Sequence, residues 1–344
     1  MAAYTTIDNP ELYFQAKTYT GDGTTSHALT LDGSENMQPN MIWIKCRSAA
    51  ENHSLSDSVR GDSGAASGFY NLTPNTNDLE YGGAGNEYVG AIGSDGFTVG
   101  SNDVVNTNTE TYVAFCWKET ATAGFDIVTA TGNATAKTIS HSLSAVPHVI
   151  IAKEKTGSAN DWVVYHHKNT SAPETDKLIL NENNATSDDN TVWNDTAPTS
   201  SVFTVGTGSV VNRNTSTYVY YLWRGVQGFS AMGSYTGNGN DNGVYVHLGF
   251  RPSWFMCKRT DSANTWNIMD NKRDPHNEVT LHLSADDPHA DETSTSDSDF
   301  DFCANGIKIR EGNNGCNGSG ATYIYLAFAE APFVNSNGVP CNAR

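Results

Sequence analysis

The chain has no run approaching the roughly 20 apolar residues that a membrane-spanning helix requires, and no basic-then-apolar leader opens it. Membrane insertion is therefore not expected. Positive charge is also scarce: 20 Lys and Arg stand against 38 Asp and Glu, a formal net charge of −18. A surface of that sign repels DNA, RNA and anionic lipid, and no basic cluster offsets it, so nucleic-acid binding is excluded as an expectation. Cysteine is sparse. The six are Cys46, Cys116, Cys257, Cys303, Cys316 and Cys341, with no C-x-x-C pair among them. A disulfide framework or structural zinc would recur with the module it supports, and these positions do not recur, so reduced thiols are expected.

Signatures of chemistry are missing too. There is no G-x-S-x-G elbow, no phosphate-cradling glycine loop and no H-E-x-x-H. His166 and His167 lie near Asp161 in sequence, but adjacent strand residues point to opposite faces, which argues against a metal centre with His141 and His148. The acidic stretch 286–301 has oxygen ligands in plenty. It lacks the alternation and closing Glu of an EF-hand, and reads as a solvated loop. No catalytic residue, metal or cofactor is expected.

What is present is one ladder written three times, at a spacing of about 105 positions. Residues 39–45, 147–153 and 252–258 each open with Pro and close with Lys around an apolar run. Residues 111–118, 217–224 and 322–329 each open with Thr-Tyr and keep an aromatic at Trp117, Trp223 and Phe328. A third marker, residues 95–100, returns at 201–206 and more loosely at 305–310. Tyr, Phe, Trp, Val, Ile and Thr fill these runs, while Gly, Asn, Asp and Ser fill the gaps, which is the distribution of short strands joined by turns. Each unit opens with a short strand and a Gly/Asn turn fit for a hairpin. The proline suits the first residue of a strand, and the apolar run behind it predicts a central strand covered on both faces.

The expected fold is all-β: three tandem homologous β-sandwich modules, jelly-roll or lectin-like, over residues 14–120, 121–226 and 227–344, preceded by a segment of residues 1–13. Barrels, or a pseudo-threefold prism in which the copies share a core, remain open alternatives. Junctions between units are short, so a stiff assembly is expected. The divergent excursions 61–92, 181–197 and 283–300 are where a β scaffold usually carries specificity. Candidate binding residues are few. Asp57 with Arg60, and Asp270 with Arg273, recur in copies one and three; they read either as a polar ligand contact or as a turn-stabilising ion pair. Trp193 has no counterpart in the other copies and is the best candidate for an exposed aromatic contact, with packing as the plainer reading.

The opening segment from Met1 to Phe14, the Pro-to-Lys runs, residues 193–203, 233–238, 258–267 and 323–330 together resemble virion structural proteins of marine tailed bacteriophages, over nearly the whole chain. The resemblance implies a tail-fibre or host-adhesion protein, non-enzymatic, assembled in the bacterial cytoplasm into a virion. Its implied partners are other phage virion proteins and a host surface glycan or protein, with a homotrimer by analogy to fibres. Residues 1–13 are then expected to be an attachment arm, with Tyr4, Ile7, Leu12 and Tyr13 as its contacts and no part in holding the modules folded. A capsid decoration or head-fibre protein is the alternative, and a polysaccharide-degrading tailspike a lesser one.

Overall fold

The structure, a computed structural model, describes residues 4–61, 68–82, 87–293 and 299–342. Parts of the opening segment (1–3), of the first and third excursions (62–67, 83–86, 294–298) and of the acidic stretch lie outside the described residues. The fold is all-β. Three large antiparallel sheets share one spatial order in their first four strands. In the first sheet that order is Phe14–Thr20, Thr111–Trp117, Met41–Cys46, Ser54–Asp57. In the second it is Phe125–Thr131, Thr217–Trp223, Val149–Glu154, Val163–His166, and in the third Ser230–Thr236, Thr322–Pro332, Phe250–Arg259, Trp266–Asp270. The registers agree as well. Trp117 pairs with Phe14 and Met41, Trp223 with Phe125 and Val149, and Phe328 with Ser230 and Trp254.

Period-two alternation divides each Thr-Tyr strand between two cores. Val113, Phe115 and Trp117 face inward and meet Val219, Tyr221, Trp223, Ile324, Leu326 and Phe328 in one common cluster. Tyr112, Ala114 and Cys116 face outward, onto a smaller core confined to their own unit. There they meet a second sheet made of His27–Thr30, Gly96–Val99 and Val89–Gly93. The second and third units repeat this with Lys137–Ser140 against Val202–Val205, and with Tyr245–His247, Gly306–Ile309 and Phe300–Cys303. Each unit is thus a small sandwich whose large sheet also covers a core shared by all three. Burial on both faces is why the central strands carry unbroken apolar runs. At the centre, the Trp117 ring lies edge-on to Trp223 (6.4 Å), Trp254 (5.7 Å) and Phe328 (5.6 Å), an arrangement that ring quadrupoles favour.

Two braces recur at each unit's end. The hydroxyl of Tyr112 donates to Asp103 O (2.7 Å) and accepts from Thr107 N (2.8 Å); Tyr218 does the same with Ser209 O and Arg213 N, and Tyr323 with Asn314 O and Gly318 N. The buried amides of Asn106, Asn212 and Asn317 hold the glycine turn of the opening hairpin, accepting from Asp22 N, Asn133 N and Asn238 N at 2.9–3.0 Å. A buried amide satisfied on both sides fixes the turn and leaves no polar atom stranded.

The opening segment is not a free arm. Ile7 is buried in the common core, Tyr4 OH donates to Gly249 O (2.8 Å), and Thr5 Oγ1 donates to Gln227 O (2.9 Å). Asn9 caps a short 3-10 turn at Pro10–Leu12, and Tyr13 sets its ring edge-on to Phe229 at 5.9 Å. Tyr4, Ile7 and Tyr13 therefore tie the first strand to the third unit, and Leu12 is half-buried beside them. The expectation that residues 1–13 are dispensable for folding is corrected: an apolar Ile7 side chain finds its cover in the common core rather than in a partner. Ile7→Ala should lower unfolding stability by about 2–4 kcal/mol in urea titration, and deleting residues 1–13 should lower it further. Unchanged midpoints would refute this account.

Candidate functional site

The chemistry-bearing side chains collect at the three seams where one unit meets the next. Each seam is made the same way. A residue at the start of the fourth strand reaches a main-chain carbonyl of the neighbouring unit: Trp162 Nε1 donates to Thr73 O (3.0 Å) and Thr76 O (3.1 Å), and Trp266 Nε1 donates to Ile179 O (2.8 Å). At the closing seam His53 takes this place, within 2.9 Å of Ser284 O and 3.1 Å of Asp287 O. The indole N–H of Trp43 donates to His53 Nδ1 (2.8 Å), so the proton sits on Nε2 and points at those carbonyls. A main-chain bond accompanies each contact, Glu80 N to Lys155 O (3.1 Å), Thr186 N to Thr260 O (2.9 Å) and Asp291 N to Arg47 O (2.7 Å). The contacts run from unit one to two, two to three and three back to one, which closes a ring.

Asp57 and Arg60 belong to this closure. Both side chains are fully buried. Asp57 caps the turn by accepting from Val59 N and Arg60 N, pairs with Arg60 Nε, and accepts from Tyr221 OH of the second unit (2.7 Å). Arg60 also donates to Leu55 O (2.9 Å) and to Glu80 (3.1 Å), and Glu80 lies 3.6 Å from Lys155. Asp270 and Arg273 repeat the arrangement, with Arg273 on Ile268 O (3.0 Å) and on Asp291 (2.8 Å), which in turn holds Arg47 (2.7 Å). In the second copy His166 and Asn169 occupy the same places. His166 Nε2 bonds Tyr325 O (3.1 Å), and Asn169 accepts from Thr186 Oγ1 (2.7 Å). Their reading as a ligand contact is corrected, because both pairs are sealed from solvent and bonded within the protein. Trp193 is corrected likewise: it is 2% exposed and packs edge-on against Tyr165 in the second unit's own core. An indole that finds such cover offers no face to a ligand.

The recurrent lysines, which sequence reasoning treated only as strand markers, are a third buried set. Lys45, Lys153 and Lys258 are wholly enclosed, and burial pushes each down to about 8. Lys153 Nζ donates to Asn77 O (2.9 Å) of the first unit, and Lys258 Nζ to Asn183 O (3.3 Å) of the second. Carbonyl oxygens thus replace water around the ammonium. The signal in the sequence was the fixed place of Lys six residues after Pro. Among the described residues, no group of three or more His, Cys, Asp or Glu is placed to hold a metal ion.

Residues 9–332 match the protein family described as Domain of unknown function (DUF7483). The chain belongs to that family. No curated protein matches it. The DUF7483 span takes in all three large sheets, ending at Pro332, the last residue of the final strand.

Open space lies at the surface. One cleft of about 420 Å³ sits at the seam between units three and one, bordered by Gln15, Asp32, Asn271, Lys272 and Glu330. Another, of about 530 Å³, lies on the third unit, bordered by Asn264, Asn267, His282, His289 and Asn314.

Breaking a brace leaves a buried charge uncompensated. Arg60→Ala should cost about 3–5 kcal/mol in denaturant unfolding, and Arg273→Ala about the same; a loss near zero would mean the pairs are exposed in solution. Burial also drives His53 and His166 down to about 3 and His148 down to about 4, so all three are neutral when folded at pH 7. Because these values are depressed, their contribution is complete above the unfolded value near 6.5 and is lost as pH falls toward 4. The fully buried His53 and His166 should each steepen the loss by about 1.4 kcal/mol per pH unit over that window, and His148, more open to solvent, by less. Unfolding followed from pH 7.5 to pH 4.5 checks this, and an unchanged stability for His166→Gln relative to wild type at pH 5 would contradict it.

Proposed function

We propose that this DUF7483 chain is a non-enzymatic bacteriophage virion protein of the tail-fibre or host-adhesion type, acting as a stiff body that presents surface clefts and loops. The observation that carries the reading is where the charges go. The buried Asp–Arg pairs, Lys153, Lys258, His53 and His166 are bonded across the seams of one three-unit ring, while the open polar space lies on an outer surface of strongly negative net charge. A body of that kind suits display and mechanical endurance better than turnover. The resemblance of the repeat to marine phage virion proteins supplies the setting: other virion proteins as partners, assembly in the bacterial cytoplasm, and a homotrimer by analogy with fibres.

Capsid decoration is the second reading, and one observation favours it. The opening segment is folded against the third unit rather than held out as an arm, which suits a protein that sits on a lattice by its faces. Gold-labelled antibody against the chain, applied to intact virions, separates the two. Label at the tail periphery is expected; label over the capsid lattice would establish decoration, and unlabelled particles would overturn both.

A further inference from the structure

The three seams are built alike but do not end alike, and the difference makes a site. Consider the corner formed by the residues that follow each Thr-Tyr strand and open each Pro-to-Lys strand, facing the first strand of the next unit. At the seam between units one and two, Glu119 reaches across and accepts from Ile127 N (3.1 Å). At the seam between two and three, His167 Nε2 donates to Met232 O (2.9 Å), with His148 stacked on it at 4.0 Å. Ile127 and Met232 occupy the same place in their strands as Ala16, since Phe125, Ser230 and Phe14 pair equivalently with Trp223, Phe328 and Trp117. At the third seam the corner stands open, and Ala16 lines the 420 Å³ cleft.

The residues explain the opening. Glu330, which holds the sequence place of Glu119 but lies inside the longer strand Thr322–Pro332, is drawn aside by Arg251 (3.0 Å) and Asn271 (3.0 Å). Ala329 stands where the other repeats carry Lys118 and Arg224, and Ser253 where they carry Asn40 and His148. The His148 ring is thus reduced to a hydroxymethyl, and the carboxylate that spans the first seam is here tethered within the third unit, while Ala329 packs into that unit's own core. The walls are set in place. Gln15 is 6% exposed, its Oε1 accepting from Gly33 N (2.8 Å) and its Nε2 donating to Glu11 O (2.8 Å). A Cβ at Gly33 would fall 2.3 Å from that Nε2, so glycine is what lets the amide lie there. Asn271 is 8% exposed and is held by Ser253 Oγ (3.2 Å).

We propose that this third seam is a binding site for a neutral, hydroxyl-rich ligand, a mono- or disaccharide. Size fits, since small-molecule sites run from about 300 to 1,000 Å³. Charge fits as well. The carboxylates Glu11, Asp32 and Glu330 are matched by Lys17, Lys272 and Arg251, with Asp32 bonded to both lysines and Glu330 to the arginine. Three negative and three positive groups leave no net field to select an anion or a cation. Fixed amides and carboxylates can instead accept from sugar hydroxyls while Lys272 and amide N–H groups donate to them. Ala16, which is half-buried, gives the cleft a small apolar surface beside these groups.

The site deepens the adhesion reading and rests on it for a biological source of the sugar. The test uses the purified full chain and ligand-observed NMR with a panel of neutral hexoses, deoxyhexoses, N-acetylhexosamines and their disaccharides, alongside inorganic phosphate and a uronic acid. Saturable binding of at least one neutral sugar is expected. Ser253→His, which restores the ring of the second repeat, should weaken it tenfold or more with the melting temperature retained. Lys272→Ala, on the rim, gives the same direction of change should the first variant not fold. Absence of neutral-sugar binding, binding of phosphate or uronic acid alone, or undiminished binding in the folded variants overturns the site. Sugar binding through the cleft by a chain missing from virions would sink the adhesion reading and keep the site; a chain on the tail that binds no sugar does the reverse.

Discussion

Everything in this molecule follows from one constraint: each large sheet is apolar on both faces, and one sandwich partner can cover only one of them. The outer face is answered within the unit by the small sheet, as Tyr112 and Cys116 show by joining a local core. The inner face, with Trp117, Trp223, Trp254 and Phe328, finds cover only in the other two units. An exposed patch of that size on a separate module would be an aggregation surface. Three copies in one chain solve this by burying their inner faces together, with loop closure limited to junctions such as residues 118–125.

A shared apolar centre fixes that the units associate but not their angle or order, because hydrophobic contact is non-directional. Direction comes from the seams. An indole or imidazole aimed at a carbonyl, an ammonium ringed by carbonyls and a guanidinium held by two carboxylates each tolerate little rotation. Burying these groups is costly in itself, and an apolar replacement can be as stable. Their value in a three-unit ring lies in register: a unit docked one strand out would leave several charges dry and unpaired. Asp57 and Arg60 are best understood in those terms.

Much of the fold was legible because repetition multiplies weak signals. A Pro at one end and a Lys at the other mean little once; three occurrences mark a strand and its limits. The all-β class, the central strands and the buried thiols of Cys46, Cys116 and Cys257 followed from composition and period. The ring did not, because no local pattern distinguishes an inward Trp117 covered by a neighbouring unit from one covered by its own small sheet. Asn106, Asn212 and Asn317 went unnoticed as well, though they recur at the repeat spacing, since asparagine is expected in turns and here works from a buried position. Trp193, whose lack of a counterpart left an exposed contact open beside the plainer reading of packing, packs into the second unit's own core.

The repeats also show where to look for function in a pseudo-symmetric protein. Positions conserved in character across the three copies, such as Lys45, Lys153 and Lys258, answer a structural need that each copy shares, and chemistry at them is already committed. Information about a ligand can reside only where the copies differ without a compensating change in packing. Asp57 and Asp270 give way to His166 with a new carbonyl bond in place of the ion pair, so that difference is absorbed. Asn40 and His148 give way to Ser253 beside a cleft of about 420 Å³, so the volume of the second copy's ring stays open. A position where the repeat has been shortened and the space kept is where this ring leaves room for something other than itself.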